Sequence, residues 1–339
     1  MRRYFYRYAA AEASRGRLAS ISGARLRAFV KGFLQNRNSI LFLAVVLGLI
    51  LWPATEYTRY LVDFAIILAI TLSLSRIDFK AVFTNSNPLL PLGGTFLVSF
   101  LAAGFVFIGL AKLLLDDPNI IYGFVVLAAA PPAVAVIPFS YVLKANINLS
   151  ILGTLSGYLL TFALMPLAAS LFFQTEIELG VMFRTLFVLI AVPFVLSRIV
   201  RSSGVVPRTE KHFGTVINWC FFLTTFSIIG LNHDVMFSRP DFVMVIFSIT
   251  LLATFGYGTL VKTILSRTRL SAPQVASYQL LGTMKNWSGA GIIALNLFGP
   301  AASLPSTLGL ISGILYYIWI SWSSDRRIKP AAPQNRQAV

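Results

Sequence analysis

Apolar residues fall along this chain in blocks of roughly twenty, and polar residues collect in the short stretches between them. The pattern predicts ten membrane-crossing helices, at about 39–55, 60–76, 89–112, 120–143, 147–173, 182–200, 213–231, 241–261, 272–299 and 302–322, the first of them short. The expected fold class is an all-α polytopic membrane protein. Two of the blocks are broken from within. Pro131, Pro132 and Pro138 interrupt 120–143, and the run Lys285, Asn286, Trp287, Ser288, Gly289 interrupts 272–299. Backbone groups freed by such breaks are costly in lipid, so they must face protein or a water-filled cavity.

Composition agrees with this picture: 57% of residues are hydrophobic and 12% charged, and the mean hydropathy is +0.77. A soluble domain carries about twice that charged fraction. The net charge of +16 raises the question of a nucleic-acid ligand, but its placement argues against one. Residues 1–37 hold nine Lys or Arg and one acid, Glu12, with no apolar core of a secretory signal. They read as a basic arm on the cytoplasmic membrane face, with an organellar transit peptide as the alternative. With that arm inside, the inner connections carry Arg76, Lys80, Lys144, Arg198, Arg201, Arg208, Lys211, Lys262, Arg267 and Arg269, and the tail adds Arg326, Arg327, Lys329 and Arg336. The outer side keeps Arg59, Lys112, Arg184 and Arg239 against eight acids. The charge is therefore a topology signal: a multi-pass protein of the cell membrane, inner or plasma, with both termini cytoplasmic. Its expected partners are the lipid bilayer and a small molecule, with no nucleic acid. The single cysteine, Cys220, and the two histidines, His212 and His233, which fall in connections, leave no basis for a metal site, and no cofactor is expected.

The chain also repeats itself. "LGTLSGYL" at 152–159 matches "LGLISGIL" at 308–315 in five of eight positions, and each follows an interrupted block. Five helices precede the end of each copy, and an odd count inverts the second copy across the membrane. The expected organisation is a basic arm at 1–37, a first five-helix repeat at 38–174, an inverted second repeat at 175–324 and a cytoplasmic tail at 325–339. Inverted repeats with discontinuous helices at matching places point to the binding site of a secondary transporter, here where helices 4 and 9 cross.

Three stretches resemble the bile acid–sodium symporter family. "LSLSRIDFKAVF" at 72–83 is similar to the motif after its second helix. "APPAVAVIPFSYVLKANINLSILGTLSGYLLTFALMPL" at 130–167 is similar to its crossover helix 4 and helix 5, and "GTMKNWSGAG" at 282–291 to its crossover helix 9. The resemblance covers 39–322. It implies a panel of helices 1, 2, 6 and 7 and a core of helices 3–5 and 8–10, with substrate between them, moved by alternating access.

The departures from that family are informative. Its helix 9 motif reads Glu, any residue, Gly, Met, Gln, Asn, Ser, Gly, and the acid serves the sodium sites. Here one register puts Leu281 on the acid and Lys285 on the Gln; the other puts Gly282 on the acid and Lys285 on the Met. The Ser-Asn ligands of helix 4 fall on Val136 and Ile137, which have no oxygen to offer a hard cation. Thr154 and Ser156 remain at the helix 5 positions. The sodium sites thus look lost, and Lys285 stands beside them as a substitute cation, a contact for an anionic substrate, or a proton-coupling group. A lysine so deep in a span is costly and functional by default.

The candidate substrate- and ion-binding residues are Lys285, Asn286, Ser288, Ser140, Tyr141, Thr154 and Ser156; Pro131, Pro132, Pro138 and Gly289 are the helix breakers. The expected function is secondary active transport of a small or amphipathic organic anion, without the sodium sites and with no enzymatic activity. A sodium-coupled, bile acid-like symporter is the first alternative. A membrane-embedded enzyme is the second, disfavoured because the spans hold no paired carboxylates or nucleophile–base set. A non-transporting receptor shares the same plan, and an arsenite exporter would want a cysteine in helix 4.

Overall fold

The computed structural model describes residues 37–78, 88–173 and 179–325. The basic arm, apart from Arg37, and the tail beyond Asp325 lie outside the described residues, as do Lys80, Glu176 and Glu178. The described chain is all α-helical, without a strand, and it is a polytopic membrane protein.

Thirteen helices are labelled here in chain order. They are α1 (Arg37–Ile50), α2 (Trp52–Ser75), α3 (Leu89–Leu114), α4 (Pro118–Ala129), α5 (Val136–Val142), α6 (Ile147–Phe172) and α7 (Gly180–Ser202). There follow α8 (Val206–Leu231), α9 (His233–Ser238), α10 (Pro240–Leu265), α11 (Ala272–Thr283), α12 (Trp287–Phe298) and α13 (Pro300–Asp325). Among the described residues, seven helices are long and apolar enough to cross a membrane: α2, α3, α6, α7, α8, α10 and α13. Three shorter apolar helices accompany them, at Ser39–Ile50, Pro118–Ala129 and Trp287–Phe298.

The boundaries follow local chemistry. Asp117 caps α4, its carboxylate accepting from the Asn119 and Ile120 amides, with Pro118 at the first helical position. Asn146 caps α6 by accepting from the Leu149 amide at 3.0 Å. Ser271 and Gln274 close a reciprocal box at the start of α11. Two boundaries differ clearly from the expected pattern, and one is that α8 begins at Val206 rather than 213, which places Arg208, Lys211 and His212 within a helix instead of a connection. The first apolar block was expected to run to 55, but the chain turns at Leu51 and the next helix already begins at Trp52. Pro53 suits that start because it sits in a first turn, where its missing N–H costs nothing.

The helices pack in two groups. Helix α8 packs along α1 and α2, and α7 packs on α2, while α4, α12 and α13, with α3, α6, α10 and α11, form the larger body. Three helices contain π-helical stretches, at Phe96–Ala102 in α3, Phe187–Ala191 in α7 and Leu252–Gly256 in α10. The stretch in α3 bears directly on the site.

Candidate functional site

Helix α4 stops at Ala129 and α5 starts at Val136; helix α11 stops at Thr283 and α12 starts at Trp287. The two gaps lie against each other. The Ala133 amide donates to the Met284 carbonyl at 2.7 Å, and the Asn286 amide donates to the Pro131 carbonyl at 2.8 Å. These bonds flank an antiparallel bridge between Pro132 and Lys285. The extended backbone at each break therefore satisfies the other, which removes much of the penalty an interruption carries in lipid.

The carbonyls at the end of α4 still need donors, because a helix terminus leaves its last carbonyls without intrahelical partners. Lys285 supplies two of them. Its Nζ lies 3.0 Å from the Ala128 oxygen and 2.6 Å from the Ala130 oxygen. The Thr161 hydroxyl lies 3.2 Å from the carbonyl between, that of Ala129, and shares its one proton with the Gly157 carbonyl of its own helix at 3.0 Å. The third strong contact of Nζ is the Ser99 carbonyl at 2.8 Å, with Ser99 Oγ at 3.3 Å. Ser99 lies in the π-helical stretch of α3, where the local change of pitch redirects carbonyls sideways. The neighbouring Val98 carbonyl accepts from the Tyr257 hydroxyl. The ammonium also sits 4.7 Å from the centre of the Phe100 ring. Lys285 is completely buried, at 0% exposure. Among the described residues no carboxylate pairs with it.

A cavity of about 540 Å³ opens beside the crossover, between the two groups of helices. Lys285, Asn286, Trp287 and Ser288 contribute to its wall from the second break, and Ala133, Val134 and Ala135 from the first. Ile70 and Ser73 of α2, Asn218 and Phe221 of α8, Tyr158 of α6 and Tyr317 of α13 complete most of it. Arg76 and Glu210 also line it, at the ends of α2 and α8; Arg76 Nη2 donates to the Glu210 carbonyl at 3.0 Å. The lining is mostly apolar with a few convergent polar groups, the usual make-up of a small-molecule site.

The expected site residues divide into three sets. Asn286 and Ser288 line the cavity. Asn286 caps α12, its side-chain oxygen accepting from the Gly289 amide at 3.2 Å while its Nδ2 donates to the Tyr158 hydroxyl at 3.3 Å. Gly289 fits that cap because a Cβ there would strike the Asn286 amide. Tyr141 reaches the cavity too, and most of its surface is exposed. Ser140, Thr154 and Ser156 are buried elsewhere. Ser140 Oγ is 2.7 Å from both the Val136 carbonyl and Ser150 Oγ, and Ser150 Oγ is 3.0 Å from Ser277 Oγ. Thr154 donates to the Ser150 carbonyl at 2.7 Å. The hydroxyls of Ser140, Ser150 and Ser277 join α5, α6 and α11, while that of Thr154 is satisfied within α6; none of Ser140, Thr154 and Ser156 lines the cavity. Of the breakers, Pro131 and Pro132 lie in the gap. Pro138 lies beyond it, in the first turn of α5, where it forfeits no intrahelical bond.

Sequence reasoning missed Ser99, Phe100, Tyr158 and the seat of Trp287. The Trp287 indole packs into a notch on α13 where Gly309 and Gly313 leave room, since a Cβ at either would meet the ring. The spacing of those glycines was visible within the repeated motif; the aromatic that fills it was not. Among the described residues no three His, Cys, Asp or Glu side chains gather to hold a metal ion.

An all-helical, lipid-embedded body with paired helix breaks and a cavity beside them defines a polytopic membrane protein of transporter type. The family model of the Sodium Bile acid symporter family matches residues 60–239, just over half of the chain, and the chain belongs to that family. The matched stretch contains the first break and ends before the second. Comparison with curated proteins gives no match.

Proposed function

We propose that this chain is a secondary carrier for a small or amphipathic organic anion, in which Lys285 takes the place of a bound sodium ion. The observation that carries this reading is the set of oxygens around Lys285 Nζ: the carbonyls of Ser99, Ala128 and Ala130 and the Ser99 hydroxyl. An ammonium has three protons to give, and three carbonyls at 2.6–3.0 Å take them. This supports the substitute-cation role over direct contact with substrate. At the helix 4 positions where the family places oxygen ligands, Val136 and Ile137 offer none. Asn286, Ser288 and Tyr141 are the proposed substrate contacts; Ser140, Thr154 and Ser156 are buried away from the cavity. The family's transport activity also supports a carrier over a membrane enzyme.

Several features support ten spans in two inverted five-helix repeats, 38–174 and 175–324. Three short apolar helices join the seven long ones. An offset of 156 residues carries Gly153 and Gly157 onto Gly309 and Gly313. Residues of the breaks lie against three of these glycines: Pro132 against Gly157, and Trp287 against Gly309 and Gly313, while Gly153 lies against Leu281 and Thr95. In this reading the arm at 1–37 and the tail at 325–339 are cytoplasmic, the cavity opens toward that side at Arg76 and Glu210, and alternating access moves the two helix groups past one another. The cell membrane is the proposed location.

The test is the unfolding midpoint of the purified protein across a panel of organic carboxylates and sulfates, in sodium and in choline buffer. A ligand that binds only the folded state raises the midpoint. Increments of equal size in both buffers support the reading. An increment confined to sodium overturns it in favour of an ordinary sodium symporter.

A further inference from the structure

Helices α12 and α13 form a hairpin that turns at Gly299 and Pro300. Gly299 has φ +85°, a backbone angle that favours glycine, and Pro300 opens α13, where a missing N–H costs nothing. Asn296 lies three residues before the glycine and Ser303 four residues after it, so both stand near the tip. Ser303 Oγ donates to the Pro300 carbonyl at 2.6 Å, which leaves its lone pairs for another donor.

The smaller helix group holds this tip at two points. Asn296 Nδ2 donates to Asp63 Oδ1 of α2 at 3.1 Å. Asn232, where α8 ends, donates from Nδ2 to Ser303 Oγ at 3.1 Å and to the Ile228 carbonyl of its own helix at 2.8 Å. Asn232 and Ser303 are both fully buried. One turn back along α8, the Ile228 side chain lies against α12 and α13: a Cβ on Gly291 would meet Ile228 Cδ1 at 3.2 Å and Ser306 Cβ at 3.3 Å. All of this sits at the end of the bundle away from the cavity's charged edge, since Asn232 is about 33 Å further along α8 than Glu210 at 1.5 Å per residue. At that other end, Arg76 bonds to Glu210, and Arg198 and Arg201 bond to the end of α2, contacts made inside the smaller group.

We propose that Asp63, Asn232, Asn296 and Ser303 form a latch that shuts the central cavity at this end, and that the latch releases when the two helix groups move to open the cavity there. The proposal rests on the carrier reading. Its chemistry suits an interface that parts. Asn232 Oδ1 is buried and has no partner among the described residues. A permanent seam between α8 and α13 is more stable with apolar side chains, because a buried amide oxygen without a donor is destabilising. In the released state water reaches Asn232 and supplies that donor, which offsets part of what the two broken bonds give up.

The experiment reads thiol labelling from each side of the membrane, in the full chain carrying Cys220→Ser so that a single introduced thiol reports. Ser306→Cys places the thiol behind the latch, at a side chain 1% exposed whose hydroxyl has no bond to lose. Gly214→Cys places it in the cavity wall, where an added Cβ meets nothing within 4 Å. A membrane-impermeant methanethiosulfonate is applied to intact cells for the outer face and to inverted vesicles for the inner face. Asn296→Ala and Ser303→Ala each remove one bond of the latch. Each is expected to raise outer labelling of the Ser306→Cys thiol about two- to tenfold, the shift in a two-state equilibrium that loss of one hydrogen bond produces. Inner labelling of the Gly214→Cys thiol is expected not to rise, because a chain opened outward is shut inward. Thr58→Ala removes the bond between Thr58 and Ser227, which lies inside the smaller group, and is expected to change neither rate. Asn296 is exposed, so Asn296→Ala still decides the matter if Ser303→Ala fails to fold. Outer labelling that Asn296→Ala leaves unchanged, or that Thr58→Ala raises equally, overturns the proposal. So does inner labelling that rises together with outer labelling, the mark of general loosening. The rise in unfolding midpoint induced by an organic anion does not depend on the latch, so the carrier reading and this proposal fail separately.

Discussion

The Lys285 ammonium lies 2.6 Å from the carbonyl of Ala130, the residue that closes helix α4. A cation is thus fixed on the negative end of a helix dipole, inside the protein, by a side chain that cannot leave. Removing it strands the carbonyls of Ser99, Ala128 and Ala130 together. Leaving a buried acceptor without its donor costs about 1–3 kcal/mol. Lys285→Gln and Lys285→Met are therefore expected to lower folding stability by about that amount, read from denaturant unfolding in detergent, with Met no better than Gln despite its apolar stem. Lys285→Ala leaves room for a free alkylammonium, so propylammonium is expected to raise the unfolding midpoint of that variant above its value in choline, with no such effect on the native chain. Loss of less than about 1 kcal/mol, the scale of one ordinary hydrogen bond, would show that the ammonium is not what holds the crossover.

The Trp287 ring occupies the notch left by Gly309 and Gly313. Adding a methyl group at Gly309 drives it into the ring, and overpacking of this kind costs about 1–3 kcal/mol. Gly309→Ala should be destabilised by that amount. Combining it with Trp287→Leu should recover most of the loss, because the smaller side chain vacates the space. Additive losses in the double variant would mean that the two residues are not in contact.

The apolar blocks were legible because lipid demands them, and the breaks were legible because Pro131, Pro132 and the run from Lys285 to Gly289 cannot continue an apolar helix. The lysine stood out for the same reason. Its partners did not, because they are backbone oxygens: Ala128 and Ala130 accept the ammonium through groups every residue carries, so their side chains hold no signal. Ser99 was hidden further by the π-helical stretch of α3, a change of pitch that a twenty-residue apolar block does not advertise. Ser140 and Thr154 carry the hydroxyls a polar site needs, but a hydroxyl within reach of a carbonyl one turn earlier is satisfied locally, and only the packing of α5 against α6 reveals that. The turn at Leu51 was invisible because both sides of it are apolar.

Two arginines of α7 reach the end of α2 in different ways, and the difference decides their worth. Arg198 donates to the carbonyls of Leu74 and Ile77, the latter at 3.0 Å, in a half-buried position. Arg201 pairs with Asp78 at 2.9 Å in a more exposed place and also touches the Ser75 and Arg76 carbonyls. Exposed ion pairs contribute about 0–1 kcal/mol. Asp78→Asn is thus expected to move the unfolding midpoint little, and less still at high salt. Arg198→Ala should cost about 1–3 kcal/mol, since the carbonyls it serves lose a charged donor. Equal effects of the two substitutions would contradict this assignment.

Gly214 offers the most direct test of the cavity. It lies on α8 and contributes to the cavity wall, and a Cβ built on it meets nothing within 4 Å. A glycine inside a helix is less favourable than alanine by about 0.5–1 kcal/mol, and here no contact opposes the added methyl. Gly214→Ala should therefore be as stable as the native chain or slightly more so. Gly214→Trp should also fold, because the indole enters open space, yet it takes up a large part of the 540 Å³. The expected pattern is a normal unfolding midpoint without ligand in both variants, with the rise induced by an organic anion kept in Gly214→Ala and abolished in Gly214→Trp. An undiminished rise in the tryptophan variant would place the binding site somewhere other than this cavity, and the carrier reading built on it would fall with it.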